Sequence, residues 1–247
     1  MKASNAVLTG WVLTGLAVLA SSGSATAAYM VDNGIGYDPT VLGNESILAA
    51  GSGWIREGGG DHITGVSSGI ASSQYAGGVG YYTYDGTGFD HTVGWTFQVR
   101  AKADPTGKAT QFFIKETNEG LITLTLYSTG VAVGYEGGSG TPIEYVPGLT
   151  DFHTIRLTRV SNTLRLFWDN SEVGSGYAYN GTADYGNKVQ WFSPSNATVA
   201  AHVDYVLWLP TESRTFAEGD EPGAVPEPAT VALIATGGLL PVLRRRK

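Results

Sequence analysis

The stretch Asp151–Asn170, DFHTIRLTRVSNTLRLFWDN, indicates most clearly how this chain folds. In its second half, three large apolar residues occupy alternate positions: Leu164, Leu166 and Trp168. Arg165 lies on the opposite side, while Phe167 fits the alternation less well. Alternation with a period of two is typical of a half-buried strand. Because Ser161-Asn162 is a typical tight turn, the stretch predicts a β-hairpin.

The same alternation recurs along the chain. Apolar residues take every second position in two further stretches, Trp95, Phe97 and Val99, and Ile122, Leu124 and Leu126. Glycine-, asparagine- and proline-containing turns separate the predicted strands about every ten residues. With 35 glycines and only 15% charged residues, the chain shows no long helical pattern between residues 29 and 210. These features predict an all-β fold, an antiparallel β-sandwich of two sheets.

The hairpin and two other segments resemble concanavalin A-like and laminin G-like jelly rolls. Ala201–Trp208, AHVDYVLW, is similar to the strand that closes that fold, and Gly53–Gly59, GWIREGG, is similar to its early strand. The resemblance implies that these two segments pair. It concerns fold, and fold by itself does not determine function.

The N-terminus has the features of a secretory signal peptide. Lys2 is followed by an apolar stretch over residues 6–20 and by the small-residue site Ala25-Thr26-Ala27. This order predicts cleavage after residue 27. An uncleaved membrane anchor is the competing interpretation, but the apolar stretch is shorter than the ~20 residues that a span needs.

The C-terminus has three parts in a fixed order. Val225-Pro226-Glu227-Pro228 precedes an apolar segment over residues 229–243, and four cations follow, which are Arg244, Arg245, Arg246 and Lys247. An apolar segment with a basic end predicts membrane insertion with the cations in the cytoplasm. A plain tail anchor is the alternative. Residues 211–224 have the composition of a flexible linker.

This order of parts resembles the PEP-CTERM sorting signal of Gram-negative bacteria. The resemblance implies that an exosortase-type membrane protease recognises Pro226-Glu227-Pro228, and that the basic end is a retention signal. It also implies export by the secretion machinery, transient anchoring in the membrane, and a final position at the cell surface or outside the cell. The predicted domains are a signal peptide (1–27), a sandwich body (28–210), a linker (211–224) and a sorting tail (225–247).

Composition narrows the partners of the predicted body. The chain has no cysteine, so it has no disulfides and no thiol chemistry. Five of its 15 Lys and Arg lie in the two terminal segments, which leaves a strongly acidic body. Because phosphate contacts need clustered cations, nucleic acid and anionic lipid are not expected partners of the body.

No catalytic constellation is recognised in the sequence. Laminarinase-type hydrolases with the resembled fold carry Glu-x-Asp-x-x-Glu on one strand, since glycoside hydrolysis needs paired carboxylates. The nearest match, Glu116-Thr117-Asn118-Glu119, lacks the aspartate, and we interpret it as a solvated turn. The four histidines are scattered and show no metal-ligand spacing. We therefore predict no catalytic residue, no catalytic metal and a body that is not an enzyme.

Two places offer oxygen ligands for a structural calcium ion. One is the glycine-containing loop Asp85–Asp90, and the other surrounds Asp204. Ca²⁺ takes six or more oxygens, and neither place has the ligand density of an EF-hand. A structural calcium ion is therefore an alternative to the absence of any cofactor.

Tyrosines flanked by polar residues are candidates for glycan contacts. Tyr177, Tyr179 and Tyr185 lie near Asn180, and Tyr177 and Tyr179 share a face if their segment is extended. A second tyrosine cluster comprises Tyr81, Tyr82 and Tyr84. The alternative is that these side chains cap the core with their hydroxyl groups in water.

Three functions remain compatible with the sequence. The first is a non-catalytic surface or matrix protein that binds a glycan or exopolysaccharide through Tyr177, Tyr179, Tyr185 and Asn180. The second is an extracellular polysaccharide hydrolase or lyase with an unrecognised site. The third is a purely structural biofilm or coat component.

Overall fold

The computed structural model describes residues 34–213, except residues 40–45, 50, 61, 79, 118, 137, 140–141, 170, 175–176, 179 and 182–184. The described residues belong to one compact unit, Tyr29–Glu218. They form eighteen strands and no helix. In chain order the strands are β1 (Ile35–Tyr37), β2 (Trp54–Gly58), β3 (Ile63–Ser67), β4 (Ile70–Ser73), β5 (Gly80–Asp85), β6 (Trp95–Ala103), β7 (Lys108–Glu116), β8 (Gly120–Tyr127), β9 (Gly130–Glu136), β10 (Gly138–Ser139), β11 (Ile143–Tyr145), β12 (His153–Val160), β13 (Thr163–Trp168), β14 (Ser171–Glu172), β15 (Tyr177–Ala178), β16 (Asn180–Gly181), β17 (Lys188–Phe192) and β18 (Ala201–Leu209).

The strands pair into two large antiparallel sheets. The nine-stranded sheet has the order β14-β13-β12-β6-β18-β4-β3, with β1 beside β18 and β15 beside β13. The seven-stranded sheet has the order β11-β9-β8-β7-β17-β5-β2, and β10 and β16 form a separate ribbon. The prediction of an all-β antiparallel sandwich is confirmed.

The hydrophobic core lies between the two sheets. Phe97 of β6 and Phe112 of β7 are fully buried, and their ring centroids lie 5.7 Å apart across the sandwich. Trp208 of β18 meets Trp54 of β2 in the same way, at 5.9 Å. Aromatic side chains bury large apolar areas, so contacts of this kind hold the sheets together without any disulfide.

The predicted hairpin is present. Strands β12 and β13 pair from Ile155 opposite Trp168 to Val160 opposite Thr163. Ser161 closes the turn with a positive φ of 49°. The inward residues of β13, predicted from the alternation, are buried.

The predicted partner of the closing strand is wrong. The segment Trp54–Gly58 pairs with β5 in the seven-stranded sheet, whereas the closing strand β18 pairs with β6, β4 and β1. The strand that pairs with the closing strand at the position expected for Trp54–Gly58 is the earlier segment Ile35–Tyr37. The reason is that Trp54 meets Trp208 across the core through side chains rather than along a shared sheet edge.

The turn between β8 and β9 supplies a test of the sheet geometry. Gly130 has a φ of +148°, and a Cβ there would lie 2.0 Å from the carbonyl oxygen of Tyr145. Gly130→Ala is therefore expected to lower the free energy of unfolding by about 2–3 kcal/mol through strain. Gly134 on the same strand has open space around it. Gly134→Ala should change stability by less than about 1 kcal/mol. Equal chemical denaturation midpoints for the two variants would contradict this packing.

The terminal segments lie outside the described residues. These segments include Ala25 and Ala27 of the predicted cleavage site, the motif from Val225 to Pro228 and the basic end from Arg244 to Lys247. Within residues 34–213, as far as they are described, no helix is long and apolar enough to cross a membrane.

Candidate functional site

The outer face of the seven-stranded sheet combines aromatic and polar side chains from neighbouring strands. In β7, Phe112 and Ile114 point into the core, so the intervening residues point outward. The same alternation turns Gln190 and Phe192 of β17 outward. Cross-strand pairs extend this face, because Gln190 lies opposite Phe113 on one side and Thr83 on the other.

Three rings form an aromatic patch at the centre of this face, which consists of Tyr81, Phe113 and Phe192. The ring centroids of Phe113 and Phe192 lie 4.6 Å apart, and those of Tyr81 and Phe192 lie 4.8 Å apart. Phe192 is nearly buried, while Tyr81 and Phe113 are half-buried and present ring surface to solvent. Exposed aromatic surface is a feature of binding sites, because a rigid ring offers a large contact area at a low cost in conformational entropy.

A hydrogen-bonded chain of polar side chains borders the patch. Thr83 Oγ1 donates to Glu57 Oε2 at 2.7 Å, and Gln190 Nε2 donates to the same oxygen at 3.0 Å. Lys115 Nζ donates to Gln190 Oε1 at 2.5 Å, which fixes the orientation of the amide. Gln111 Nε2 donates to Thr125 Oγ1 at 2.7 Å further along the face. These hydrogen bonds thus fix the orientations of the polar side chains on this face.

Glu57 is held in its ionised form. The hydrogen bond from Thr83 lowers the pKa of Glu57 below its ordinary value, against an opposing effect of burial, and Lys188, Gln190 and Lys115 lower it further. The face therefore presents a carboxylate that accepts hydrogen bonds rather than a neutral acid.

This depressed pKa predicts how stability depends on pH. Glu57 stabilises the fold above its unfolded-state pKa, and that contribution is lost as the pH falls through the lower folded-state pKa. We expect Glu57→Gln to be less stable than the wild type at neutral pH and equally stable in acid. Thermal unfolding over a pH series measures this. Thr83→Val, which removes the first cause of the shift, should move the transition to higher pH; a difference that does not depend on pH would contradict the assignment.

A second charged cluster is buried at the end of β7. Glu116 Oε1 accepts hydrogen bonds from the backbone N–H and Nδ1 of His91, both at 2.6 Å. Its Oε2 accepts from Trp95 Nε1 at 3.1 Å and from Arg159 Nη1 at 2.7 Å. Arg159 also donates to Glu119 at 2.7 Å. The interpretation of Glu116 as part of a solvated turn is therefore wrong, because Arg159 and Trp95, distant in the sequence, enclose it.

This cluster includes a potential metal-ligand group. One ligand atom each from Asp90, His91 and Glu116 lies within 4.8 Å of the others. However, both oxygens of Glu116 already accept hydrogen bonds, and the Arg159 guanidinium supplies the positive charge. Asp90 Oδ1 accepts from the backbone N–H of Thr92 at 2.9 Å. Since a metal would have to displace these donors and sit beside a cation, we assign the cluster a structural role.

The aspartates of the two candidate calcium positions each have a partner in the structure. Asp85 lies 3.4 Å from Lys188 Nζ, and Asp90 caps the turn at Thr92. Asp204 pairs with Arg100. The calcium ion stays an untested prediction.

The predicted tyrosine site is only partly described. The backbone of Tyr177 pairs with Leu164 at the edge of the nine-stranded sheet, and that of Asn180 pairs with Ser139 in the short ribbon. Tyr179 lies outside the described residues. Tyr185 lies over the outer face of the seven-stranded sheet, where its ring centroid is 5.8 Å from Lys115 Nζ. The role of these four residues stays a prediction.

Sequence reasoning missed most residues of the aromatic patch. It named Tyr81, but in a cluster with Tyr82 and Tyr84, whose rings belong to or pack against the core. Phe113 and Phe192 were not singled out. The available signal was the alternation of β7 and β17, which places an aromatic ring at an outward position on each strand.

The central polar side chains on the outer face of the nine-stranded sheet are less accessible to solvent than those on the outer face of the seven-stranded sheet. Arg156 Nε donates to Gln98 Oε1 at 2.7 Å, and Gln98 Nε2 donates to the Tyr205 hydroxyl at 2.8 Å. All three side chains are almost completely buried, and burial raises the pKa of Tyr205. A cavity of about 400 Å³ at the end of this sheet is lined by Arg165, Thr158 and Ser213, and none of the described residues that line it is aromatic. The seven-stranded sheet is therefore the better candidate.

No protein-family model and no curated protein matches the chain. Solved structures do resemble it. A carbohydrate esterase from the Shiga toxin-encoding bacteriophage phi24B is 11% identical, with 65% of this chain and 91% of that chain covered and a TM-score of 0.48. A Bacillus licheniformis β-glucanase is 13% identical, with 66% and 95% covered and a TM-score of 0.43. The binding domain of botulinum neurotoxin DC in complex with SialylT is 5% identical, with 75% and 47% covered and a TM-score of 0.47.

The strand pairing of the structure defines the class as an all-β antiparallel sandwich, and at such low identities the similar structures concern the fold alone. They also correct one prediction. The sequence led us to predict that the body is not an enzyme, yet the similar structures include glucanases and glycosidic hydrolases. The fold also brings together polar side chains that are distant in the sequence, since Glu57 of β2 and Gln190 of β17 meet although 133 residues separate them.

Proposed function

We propose that the chain is an exported carbohydrate-active protein that binds a polysaccharide on the outer face of the seven-stranded sheet. The aromatic patch carries this proposal. A sugar ring presents C–H groups on its faces and hydroxyl groups around its rim. It can therefore stack on Tyr81 and Phe113 while its hydroxyl groups bond to Glu57 and to Gln111.

The polar chain supplies both donors and acceptors. Glu57 is an ionised acceptor, and each amide of Gln111 and Gln190 has an acceptor and donor end. Gln111 donates to Thr125, and Gln190 donates to Glu57 and accepts from Lys115, so both amides have fixed orientations and little conformational entropy is lost when a ligand binds. A repeating polymer suits an extended sheet face better than a single sugar, because several residues can be contacted at once.

Binding of the full chain to defined polysaccharides tests the proposal. A suitable panel comprises neutral β-glucans, dextran, polygalacturonate and methyl-esterified polygalacturonate, measured by titration calorimetry. We expect saturable binding to at least one polymer. If none of them binds, the proposed function is wrong.

Depolymerisation of the bound polysaccharide is a second candidate function, and Glu57 favours it. An ionised carboxylate beside a bound sugar can act as the base or the nucleophile of such a reaction, with solvent water as the source of the proton that the leaving-group oxygen takes. The same panel should be assayed for new reducing ends, which report hydrolysis or elimination, and for the unsaturated sugars that only a lyase forms. Loss of product formation in Glu57→Gln, with binding retained, would support this candidate. Product formation that survives the substitution would remove Glu57 from the reaction.

We also propose that the C-terminal segment sorts the protein to the cell surface. The supporting feature is the order of the Pro-Glu-Pro motif, apolar segment and basic end. Intact-mass analysis of the protein from the surface fraction should show the loss of residues 1–27 and of Arg244 to Lys247. A membrane-bound form that keeps the basic end would contradict the proposal.

A further inference from the structure

We propose that Ser72, His202 and Asp104 form a second site, which hydrolyses O-acetyl esters. The three side chains are joined by hydrogen bonds on the outer face of the nine-stranded sheet, where β6 ends. A serine, a histidine and a carboxylate in this order activate the serine hydroxyl as a nucleophile. The aromatic patch and Glu57 belong to the other sheet, so this activity is independent of polysaccharide binding.

Alternation along two neighbouring strands places the serine beside the histidine. The residues on either side of Ser72 in β4 and of His202 in β18 are fully buried, so these two side chains point outward. Ser72 and His202 are direct partners in the antiparallel ladder. Residues paired in this way have Cβ atoms about 4.5–5.5 Å apart, which is close enough for their side chains to bond. The Oγ atom of Ser72 lies 3.2 Å from Nδ1 of His202.

The carboxylate is held at the other ring nitrogen. Asp104 directly follows β6, and its backbone N–H donates to the carbonyl oxygen of Ala200 at 2.9 Å, which fixes it beside the start of β18. Its Oδ1 lies 3.0 Å from His202 Nε2. The side chain of His202 is 25% exposed and that of Asp104 is 51% exposed. An ester can therefore reach the imidazole from solvent.

These contacts determine which ring nitrogen of His202 carries the proton. An ionised carboxylate only accepts hydrogen bonds, so Nε2 of the neutral ring donates to Asp104 and Nδ1 is left as an acceptor. The hydroxyl group of Ser72 therefore donates to Nδ1, which is the arrangement that a general base needs. In serine proteases Nε2 faces the serine and Nδ1 faces the carboxylate. The exchange leaves the chemistry intact, because either ring nitrogen can accept a proton.

The reaction follows from this arrangement. Ser72 Oγ attacks the carbonyl carbon of the ester while His202 Nδ1 takes the hydroxyl proton. The ester C–O bond breaks, the proton passes from Nδ1 to the leaving alcohol oxygen, and the acetyl group stays on Ser72. Water then attacks the acetyl group and gives a proton to Nδ1. Acetic acid leaves, and Ser72 Oγ takes the proton back.

The surroundings of the site indicate a small acyl group and a slow reaction. Ser72 is flanked in the sheet by Gly65 of β3, around which there is open space, and His202 is flanked by Lys102 of β6. A glycine and a charged residue offer little apolar surface for a longer acyl chain. Because the site is open, solvent water stabilises the oxyanion. Water is less effective than fixed donors, so we expect slow turnover.

Turnover of 4-nitrophenyl acetate by the full chain tests this inference, together with peptide mass mapping of the acetylated residue. We expect a burst of nitrophenolate and an acetyl group on Ser72. Ser72→Ala should abolish the burst, and His202→Gln should lower turnover about a hundredfold, a typical contribution of a general base. Asp104→Asn should lower kcat and leave KM unchanged, because an amide can donate to Nε2 and so places the proton on the wrong nitrogen.

His153→Gln is the matched control. His153 Nδ1 also has a carboxylate partner, Asp169 Oδ2 at 2.8 Å, and its side chain is 28% exposed. An exposed imidazole hydrolyses this activated ester by itself, so the control measures the background from a histidine of similar exposure. We expect the burst and the turnover of this variant to equal those of the wild type.

The alternative outcomes are equally clear. Turnover that survives Ser72→Ala, acetylation found only at other residues, or no turnover at all would overturn the inference. If a variant is unfolded, a fluorophosphonate probe on the wild type replaces it, since this reagent modifies activated serines. Labelling should map to Ser72, and an unlabelled Ser72 would overturn the inference. None of these results affects the proposed polysaccharide binding, and a failure of binding leaves the ester site untouched.

Discussion

Arg159→Met is expected to lower the free energy of unfolding by about 3–5 kcal/mol, because it leaves a buried carboxylate without its cation. Arg159 is fully buried and donates to Glu116 and Glu119, both at 2.7 Å. The side chain of Glu116 is only 6% exposed. Methionine fills similar space but cannot compensate the negative charge. Chemical denaturation followed by tryptophan fluorescence measures the loss.

Arg165→Met is the matched control. Arg165 lies on the next strand and approaches Glu172 at 3.9 Å, but its side chain is 48% exposed. We expect a loss of less than about 1 kcal/mol, since solvent screens this pair. The double variant Arg159→Met/Glu116→Gln should recover part of the loss, because no uncompensated charge then remains buried at that position. Equal losses in the two arginine variants would mean that Glu116 is hydrated and that the cluster does not stabilise the fold.

Phe113→Ala is expected to reduce polysaccharide affinity by about tenfold to thirtyfold, the range of an aromatic hot-spot residue. Phe113 contributes exposed ring surface, packs against Phe192 at 4.6 Å and lies under the ammonium group of Lys115. The substitution therefore removes a stacking surface and also the ring that contacts the Lys115 ammonium group. Tyr81→Ala should have a similar effect, and the double variant should leave no measurable binding.

Phe152→Ala provides the comparison for this substitution. Phe152 is also half-buried and also lies under cations, with Arg100 Cζ and Lys102 Nζ each 5.2 Å from its ring centroid. It belongs to the side of the molecule that the proposal does not use. Titration of all variants against the best-binding polymer should show a loss only for the patch variants. An equal loss for Phe152→Ala would indicate a nonspecific effect on folding.

Local sequence patterns predicted the strands well but their partners poorly. The hairpin β12–β13 follows from alternation and a tight turn, which act over neighbouring residues. The place of Trp54–Gly58 depends instead on which sheet its backbone joins. A tryptophan that contacts the closing strand across the core gives the same apolar signal as one beside it in the sheet, so the sequence pattern does not separate the two arrangements.

The candidate site was harder to predict for a related reason. Because Glu116 occurs next to turn residues, its local sequence predicts a solvent-exposed side chain. Arg159 and Trp95 are distant in the sequence, and only the fold brings them into contact with it. The aromatic patch likewise takes one ring from each of β5, β7 and β17. The sequence pattern alone predicts Phe113 and Phe192 as core residues, because no neighbouring residue indicates which side of the sheet faces the second sheet.

Hydroxyl-radical footprinting of the full chain, with and without the polysaccharide that binds best, tests the central claim most directly. The method reports the solvent accessibility of aromatic side chains. The account predicts that the ligand protects Tyr81, Phe113 and Tyr185 from oxidation and leaves Phe152 unchanged. Protection of Phe152 with no change at Tyr81 and Phe113 would contradict it and would place the ligand on the other side of the molecule.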